Sequence, residues 1–268
     1  MDPLDWQLRR AEAEAYLEEV SARLRAENVQ AEATVAEGPS AERIIAYAHD
    51  EGADLILLSS HGRGGLSEWN ISSVVQKVIL RSFLPALIVR AYRPYSGDLG
   101  GLRYQRVLVP LDGSQRAECV LPLAATLGRY YDATLILAHV VVRPEVPRHT
   151  PLTRDELALV NQLTERNRVE AERYLEELRP QLATTVETRL VVNSNTALAL
   201  HDLVDQEGAD LVVLSAHGYS GEARWPYGSV TLNIIVYGTT PLLIVQDLSP
   251  DEIQRSPAEA AFVERKGH

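Results

Sequence analysis

Asp112 closes an apolar run, VLVPL (residues 107–111), and is followed directly by Gly113 and Ser114. A second polar cluster, Ser215-Ala216-His217-Gly218, closes another apolar run, and Gly228-Ser229-Val230 follows with nine residues between the two glycines. These residue types suit an anionic ligand. Gly218 has no Cβ, so backbone there can approach a phosphate closely. A helix opened by Gly228 and Ser229 offers N–H groups without intrahelical partners and the positive end of its dipole. Each piece also has a plainer reading: Asp112-Gly113-Ser114 as a turn before a helix, and Gly228-Ser229 as an ordinary helix start.

Competing chemistries fail on particular residues. Gly62-Arg63-Gly64-Gly65-Leu66-Ser67 has Ser67 where a dinucleotide fingerprint needs its last glycine. No G-x-x-x-x-G-K-[ST] is present, and His217-Gly218 is not accompanied by a G-x-S-x-G nucleophile elbow. The seven histidines and single cysteine show no metal-ligand spacing, so no metal residue is assigned. Lys is absent between Arg106 and Asp247, and no obvious general base accompanies Asp112 in the crevice, so no catalytic residue is assigned either.

The elements that must position these residues occur in two copies. Residues 51–62 (EGADLILLSSHG) and 207–218 (EGADLVVLSAHG) agree at nine of twelve positions at an offset of 156, which also pairs Trp69 with Trp225, Ser73 with Ser229 and Pro85 with Pro241. Further upstream the offset becomes 158, pairing residues 16–19 with 174–177 and setting Met1 against Leu159. About fifty residues at the front of the second copy, from about Gln105, therefore have no counterpart in the first. In the second copy the hydrophobic pattern predicts strands at 106–111, 133–142, 186–192, 210–214 and 241–245, with helices at 117–130, 153–178, 196–206 and 230–237. The first copy predicts helices at 6–27, 40–51 and 72–80 and strands at 29–35, 55–59 and 85–90, lacking the first two strands and the helix between them. Strands that alternate with helices and are apolar on both faces imply parallel sheet, hence an α/β fold. The expected organisation is an incomplete unit at 1–95, a linker at 96–104, a complete unit at 105–247 and a loosely held tail at 248–268.

Duplicated His61 and His217 read as strand-end packing or loop hydrogen bonding, because the first copy keeps its histidine where the glycines are gone. Trp69 and Trp225 read as packing residues. Cys119 is expected as a packed thiol on the apolar face of helix 117–130. Residues 143–154 follow a strand and read as a long surface loop or a lid. The 268 residues are 46% hydrophobic and 24% charged, enough for a sizeable core, and the net charge of -11 argues against a nucleic-acid surface. No apolar run reaches membrane length and residues 1–16 lack the apolar core of a signal peptide, so a cytoplasmic setting without membrane partners is expected.

With VLVPLDGS, His139-Val140 and SAHG followed by GSV, the chain resembles the universal stress protein family across both copies. The nucleotide-binding members' pattern is Gly, two residues, Gly, nine residues, then Gly and Ser or Thr. The second copy matches it at Gly218, Gly228 and Ser229 and has Ser215 in place of the first glycine. The first copy, with Ser59, Gly62, Ser72 and Ser73, loses two glycines and has no equivalent of Asp112. The resemblance implies two tandem adenine nucleotide alpha hydrolase-like units of strand order 3-2-1-4-5, the first lacking strands 1 and 2, with a crevice where the winding reverses between strands 1 and 4. It places Asp112 on a ribose, Val140 and the backbone at Pro110 and Leu111 against adenine, and Ser215, Gly218, Gly228, Ser229 and Val230 at the phosphates. The implied function is a regulatory module binding ATP or ADP, with Mg2+ to offset phosphate charge, in the second copy alone and with slow hydrolysis at most. The alternative is a scaffold of the same fold that binds no nucleotide and acts through protein contacts.

The resemblance further implies edge-to-edge pairing of the fifth strands, residues 85–89 and 241–245. The missing front of the first copy predicts either direct pairing of strands 29–35 and 55–59 or association with a second chain. The second route implies a homo-oligomer, at least a dimer. A start upstream of Met1 is the plainer alternative.

Overall fold

The computed structural model describes residues 3–61, 71–90, 101–144, 151–219 and 226–248. Trp69, Trp225, most of the linker, residues 145–150 and the tail from 249 fall outside the described residues. The first unit contributes α1 (Pro3–Ala26), α2 (Ser40–Asp50), β1 (Ile56–Ser59), α3 (Ser73–Ser82) and β2 (Ala86–Val89). The second contributes β3 (Arg106–Pro110), α4 (Gln115–Glu118), α5 (Leu121–Tyr131), β4 (Thr134–Val142), α6 (Arg154–Leu178), β5 (Val186–Asn193), α7 (Thr196–Gln206), β6 (Leu211–Ser215), α8 (Ser229–Tyr237) and β7 (Leu242–Val245).

Local signals set most of these boundaries. Thr153 and Glu156 form a reciprocal capping box that starts α6, and Pro180 falls in the 3-10 turn that ends it. The helix expected at 117–130 is broken. Pro122 lies in the first turn of α5, where its missing N–H ends the α4 ladder, and Cys119 and Val120 form the joint. Cys119 is exposed at that joint, correcting its expected place in the core.

The seven strands among the described residues form one sheet, ordered β1-β2-β7-β6-β3-β4-β5. The second unit alone reads β5-β4-β3-β6-β7, the 3-2-1-4-5 order, with every internal pair parallel. The two fifth strands meet antiparallel, with Ala86 opposite Ile244, Leu87 opposite Leu243 and Ile88 opposite Leu242. One apolar layer crosses this seam, joining Ile79 and Ile88 to Ile234, Ile235 and Ile244. Fully buried side chains of this size each contribute about 1.5–3 kcal/mol. Arg90, also buried, reinforces the seam by donating to the carbonyls of Ile234, Ile235 and Thr240, and Tyr227 donates to the carbonyl of Ile79.

Residues 29–35 form no strand, and direct pairing with β1 does not occur. The physical reason is visible in the second unit, where the equivalent β5 pairs with β4 and with nothing else. The first unit has no counterpart of β4, so an extended segment there has no ladder to join.

Candidate functional site

At the winding reversal, the carboxyl ends of β3 and β6 enclose a cleft of about 280 Å3. Its lining includes Pro110, Leu111, Asp112, Val140, Ser215, Gly218, Gly228, Ser229 and Val230, so all nine sequence-derived residues surround one cavity.

Asp112 bridges the two strand ends. Its Oδ1 accepts from the Ser114 backbone N–H (3.0 Å) and hydroxyl (2.6 Å), and the same hydroxyl accepts from Ala117 N–H to start α4. Its Oδ2 accepts from the Tyr219 N–H at 2.6 Å, which ties the loop after β6 to the end of β3. The turn reading of Asp112-Gly113-Ser114 therefore holds, with Gly113 at φ +83, alongside the carboxylate's place in the cleft. Gly218 is sterically required by this bridge, because a Cβ there would overlap the Asp112 carboxylate oxygen.

Ser215 occupies the first-glycine position as a buried structural hydroxyl. It donates to the His217 carbonyl at 2.5 Å, while its own carbonyl accepts from Thr231 Oγ1 at 2.9 Å. Gly228 donates to the Ala216 carbonyl and precedes α8 without any side-chain cap. The first-turn N–H groups of α8 thus have no side-chain acceptor at the residues that line the cleft. In the first unit the equivalent position is Ser72, whose hydroxyl accepts from Val75 N–H and closes α3 internally.

His217 is buried, and both its backbone N–H (2.9 Å) and Nδ1 (2.8 Å) meet Asp247 Oδ1. Asp247 Oδ2 in turn accepts from Arg116 at 2.8 Å. This matches the reading of His217 as a loop hydrogen-bonding residue, and the network fixes the turn that presents Gly218. Arg116, Asp247 and Tyr219 were not legible as site residues, since Asp247 lies 131 positions from Arg116 with no spacing signal. On β4, desolvation by burial outweighs nearby Asp112 and the Leu111 backbone and lowers the pKa of His139. Among the described residues no three His, Cys, Asp or Glu side chains are grouped to hold a metal ion, and no helix is long and apolar enough to cross a membrane.

Comparison with protein-family models matches the universal stress protein family over residues 1–90 and 103–246. A Staphylococcus haemolyticus protein of the universal stress type is 26% identical over 166 residues, spanning 60% of this chain and 96% of that protein. The Bacillus subtilis universal stress protein YxiE is 39% identical over 74 residues, 28% of this chain and 50% of YxiE. Among solved structures, a universal stress protein from Archaeoglobus fulgidus superposes with a TM-score of 0.64 at 19% identity, covering 92% of this chain and 84% of that one. A functionally unknown Pseudomonas aeruginosa protein, PA1789, gives a TM-score of 0.65 at 14% identity, covering 94% and 82%. At these identities the two structures bear on the fold alone.

Proposed function

Because the chain belongs to the universal stress protein family and only its second unit brings Asp112, Gly218, Gly228 and Ser229 around one cleft, we propose that this unit binds ATP or ADP as a regulatory ligand. The observation that carries the reading is the uncapped start of α8 opposite Asp112. Free N–H groups and the helix dipole suit phosphate, and the carboxylate suits the ribose hydroxyls. Gly228 adds support. A Cβ there would meet the Ala216 carbonyl at 3.6 Å, an ordinary contact, so the protein's own packing does not demand glycine. Glycine also serves as the N-cap of α8, and close approach of a phosphate would use the open space there.

Adenine would lie against Val140 and the Pro110–Leu111 backbone, with the phosphates at the opposite rim by Gly218, Gly228, Ser229 and Val230. The cavity is close to the lower end of the roughly 300–1,000 Å3 typical of ligand clefts, which suits an enclosed nucleoside and phosphates at the open side. Asp112 is the only acidic side chain in the described lining. Mg2+ would therefore enter with the nucleotide, held mainly by phosphate oxygens and water. With His217 tied to Asp247 and Asp112 engaged at the sugar, no lining group is placed as a general base, and the reading is binding with slow hydrolysis at most. The setting that fits this reading is the cytoplasm.

A scaffold that binds no nucleotide is the second reading. One observation favours it: both Asp112 oxygens already accept from Ser114 and Tyr219, bonds that a ribose must share or displace. Mass spectrometry of small molecules released by denaturing the purified protein separates the two. Stoichiometric ATP or ADP supports the first reading. A protein purified empty that also fails to retain added nucleotide supports the second.

A further inference from the structure

The sugar end of the cleft has less hydrogen-bonding capacity than a free carboxylate would give it. An ionised carboxylate offers about four acceptor positions, two on each oxygen. At Asp112 the protein itself fills three of them: Oδ1 accepts from the Ser114 N–H (3.0 Å) and the Ser114 hydroxyl (2.6 Å), and Oδ2 accepts from the Tyr219 N–H (2.6 Å). Each of these bonds also holds structure. The Ser114 hydroxyl accepts from the Ala117 N–H at the start of α4, and the Tyr219 N–H fixes the loop after β6 at a close approach that the missing Cβ of Gly218 allows. No described residue fills the fourth position, on Oδ2, and Asp112 is exposed. The buried polar side chains of the lining are committed elsewhere. Ser215 donates to the His217 carbonyl, Thr231 donates to the Ser215 carbonyl, and His217 is tied to Asp247.

We infer that the cleft takes adenine ribonucleotides and deoxyribonucleotides with nearly equal affinity, because Asp112 has one acceptor position for a sugar hydroxyl and not two. The inference rests on the nucleotide reading above and sharpens it. A vicinal diol that meets an unoccupied carboxylate makes two charge-assisted bonds, one to each oxygen, and the loss of either costs roughly ten- to a hundredfold in affinity. Here the second hydroxyl must displace a donor of Ser114 or Tyr219, so it exchanges one bond to the carboxylate for another of the same kind and adds little. Either the 2′- or the 3′-hydroxyl can take the open position.

Sugar-modified nucleotides titrated into the purified full chain test this by calorimetry. ATP, 2′-deoxyATP and 3′-deoxyATP should bind within about threefold of one another, and 2′,3′-dideoxyATP should bind roughly ten- to a hundredfold more weakly than any of them. Ser114→Ala vacates a position on Oδ1, so in that variant the deficit of 2′-deoxyATP against ATP should widen to roughly tenfold or more. Because the Ser114 hydroxyl also starts α4, Tyr219→Pro, which removes the backbone donor to Oδ2, gives a second route to the same widening. A deficit of about tenfold or more for 2′-deoxyATP in the wild type would overturn the inference, since Asp112 would then read both hydroxyls. Dideoxy and ribose forms that bind equally would overturn it too, since Asp112 would read neither, and so would a deficit that stays unchanged in both variants. A wild type that binds none of the four nucleotides would refute the nucleotide reading itself and this inference with it.

Discussion

Gly218→Ala probes the bridge between β3 and β6 that shapes the cleft. The new Cβ would overlap the Asp112 carboxylate, which is held by three hydrogen bonds, from Ser114 N–H, the Ser114 hydroxyl and Tyr219 N–H. The carboxylate must move and its bond to Tyr219 must break. Local overpacking costs about 1–3 kcal/mol, but an exposed carboxylate can swing into solvent, so the expected loss is at the low end, about 1–2 kcal/mol. Asp112→Ala alone removes the same bonds and should cost about 0.5–1.5 kcal/mol, because the replaced contacts are partly hydrated. The double variant should be little worse than Asp112→Ala, since the clash no longer exists, giving a coupling of roughly 1 kcal/mol between the two sites. Urea unfolding of the four proteins at matched slope measures this cycle. Additive losses would refute the claim that Gly218 is glycine because of Asp112.

Other expectations are as specific. Desolvation, with Asp247 adding to it, pushes the Cys119 thiol up to about 11, so alkylation at pH 7 should run roughly tenfold or more slower than that of free cysteine despite exposure of the residue, the smaller thiolate fraction being partly offset by a more nucleophilic thiolate; a rate equal to that of free cysteine would contradict it. Arg90→Met should destabilise the chain by about 1–3 kcal/mol in urea, because it removes the guanidinium donors from the Ile235 and Thr240 carbonyls at the seam, while the Ile234 carbonyl keeps its bond from Gly238 N–H. A loss below about 0.5 kcal/mol would show that the seam does not depend on it. Arg189, with Arg106 beside it, holds the Glu207 carboxylate below its usual range. Its contribution is complete above the ordinary carboxylate pKa and is lost as pH falls through the depressed folded value, so Glu207→Gln should flatten the acid limb of the stability curve. An unchanged limb would remove Glu207 from the account.

What the sequence made legible follows from how local each signal is. Strand order, the meeting of the fifth strands and the gathering of the nine cleft residues came from apolar runs, the repeat and a family pattern, all readable over short stretches. Residues 29–35 have the pattern of a strand, but a strand needs a neighbour, and theirs is absent from the first unit. The break at Cys119–Val120 was signalled by Pro122, yet the apolar spacing on either side masked it. The His217–Asp247–Arg116 network joins three distant segments through tertiary structure alone, so its members carried no spacing to read. Ser215 is the converse case, since the departure from the family pattern was visible but its buried hydrogen bond to His217 was not.

The central claim is tested most directly by isothermal titration of ATP and ADP into the purified chain and its Asp112→Ala variant. Loss of a charged hydrogen bond costs about 1.5–3 kcal/mol, so one nucleotide per chain should bind the wild type and the variant should bind roughly ten- to a hundredfold more weakly. No binding to a ligand-free wild type, or equal binding to both proteins, would contradict the account.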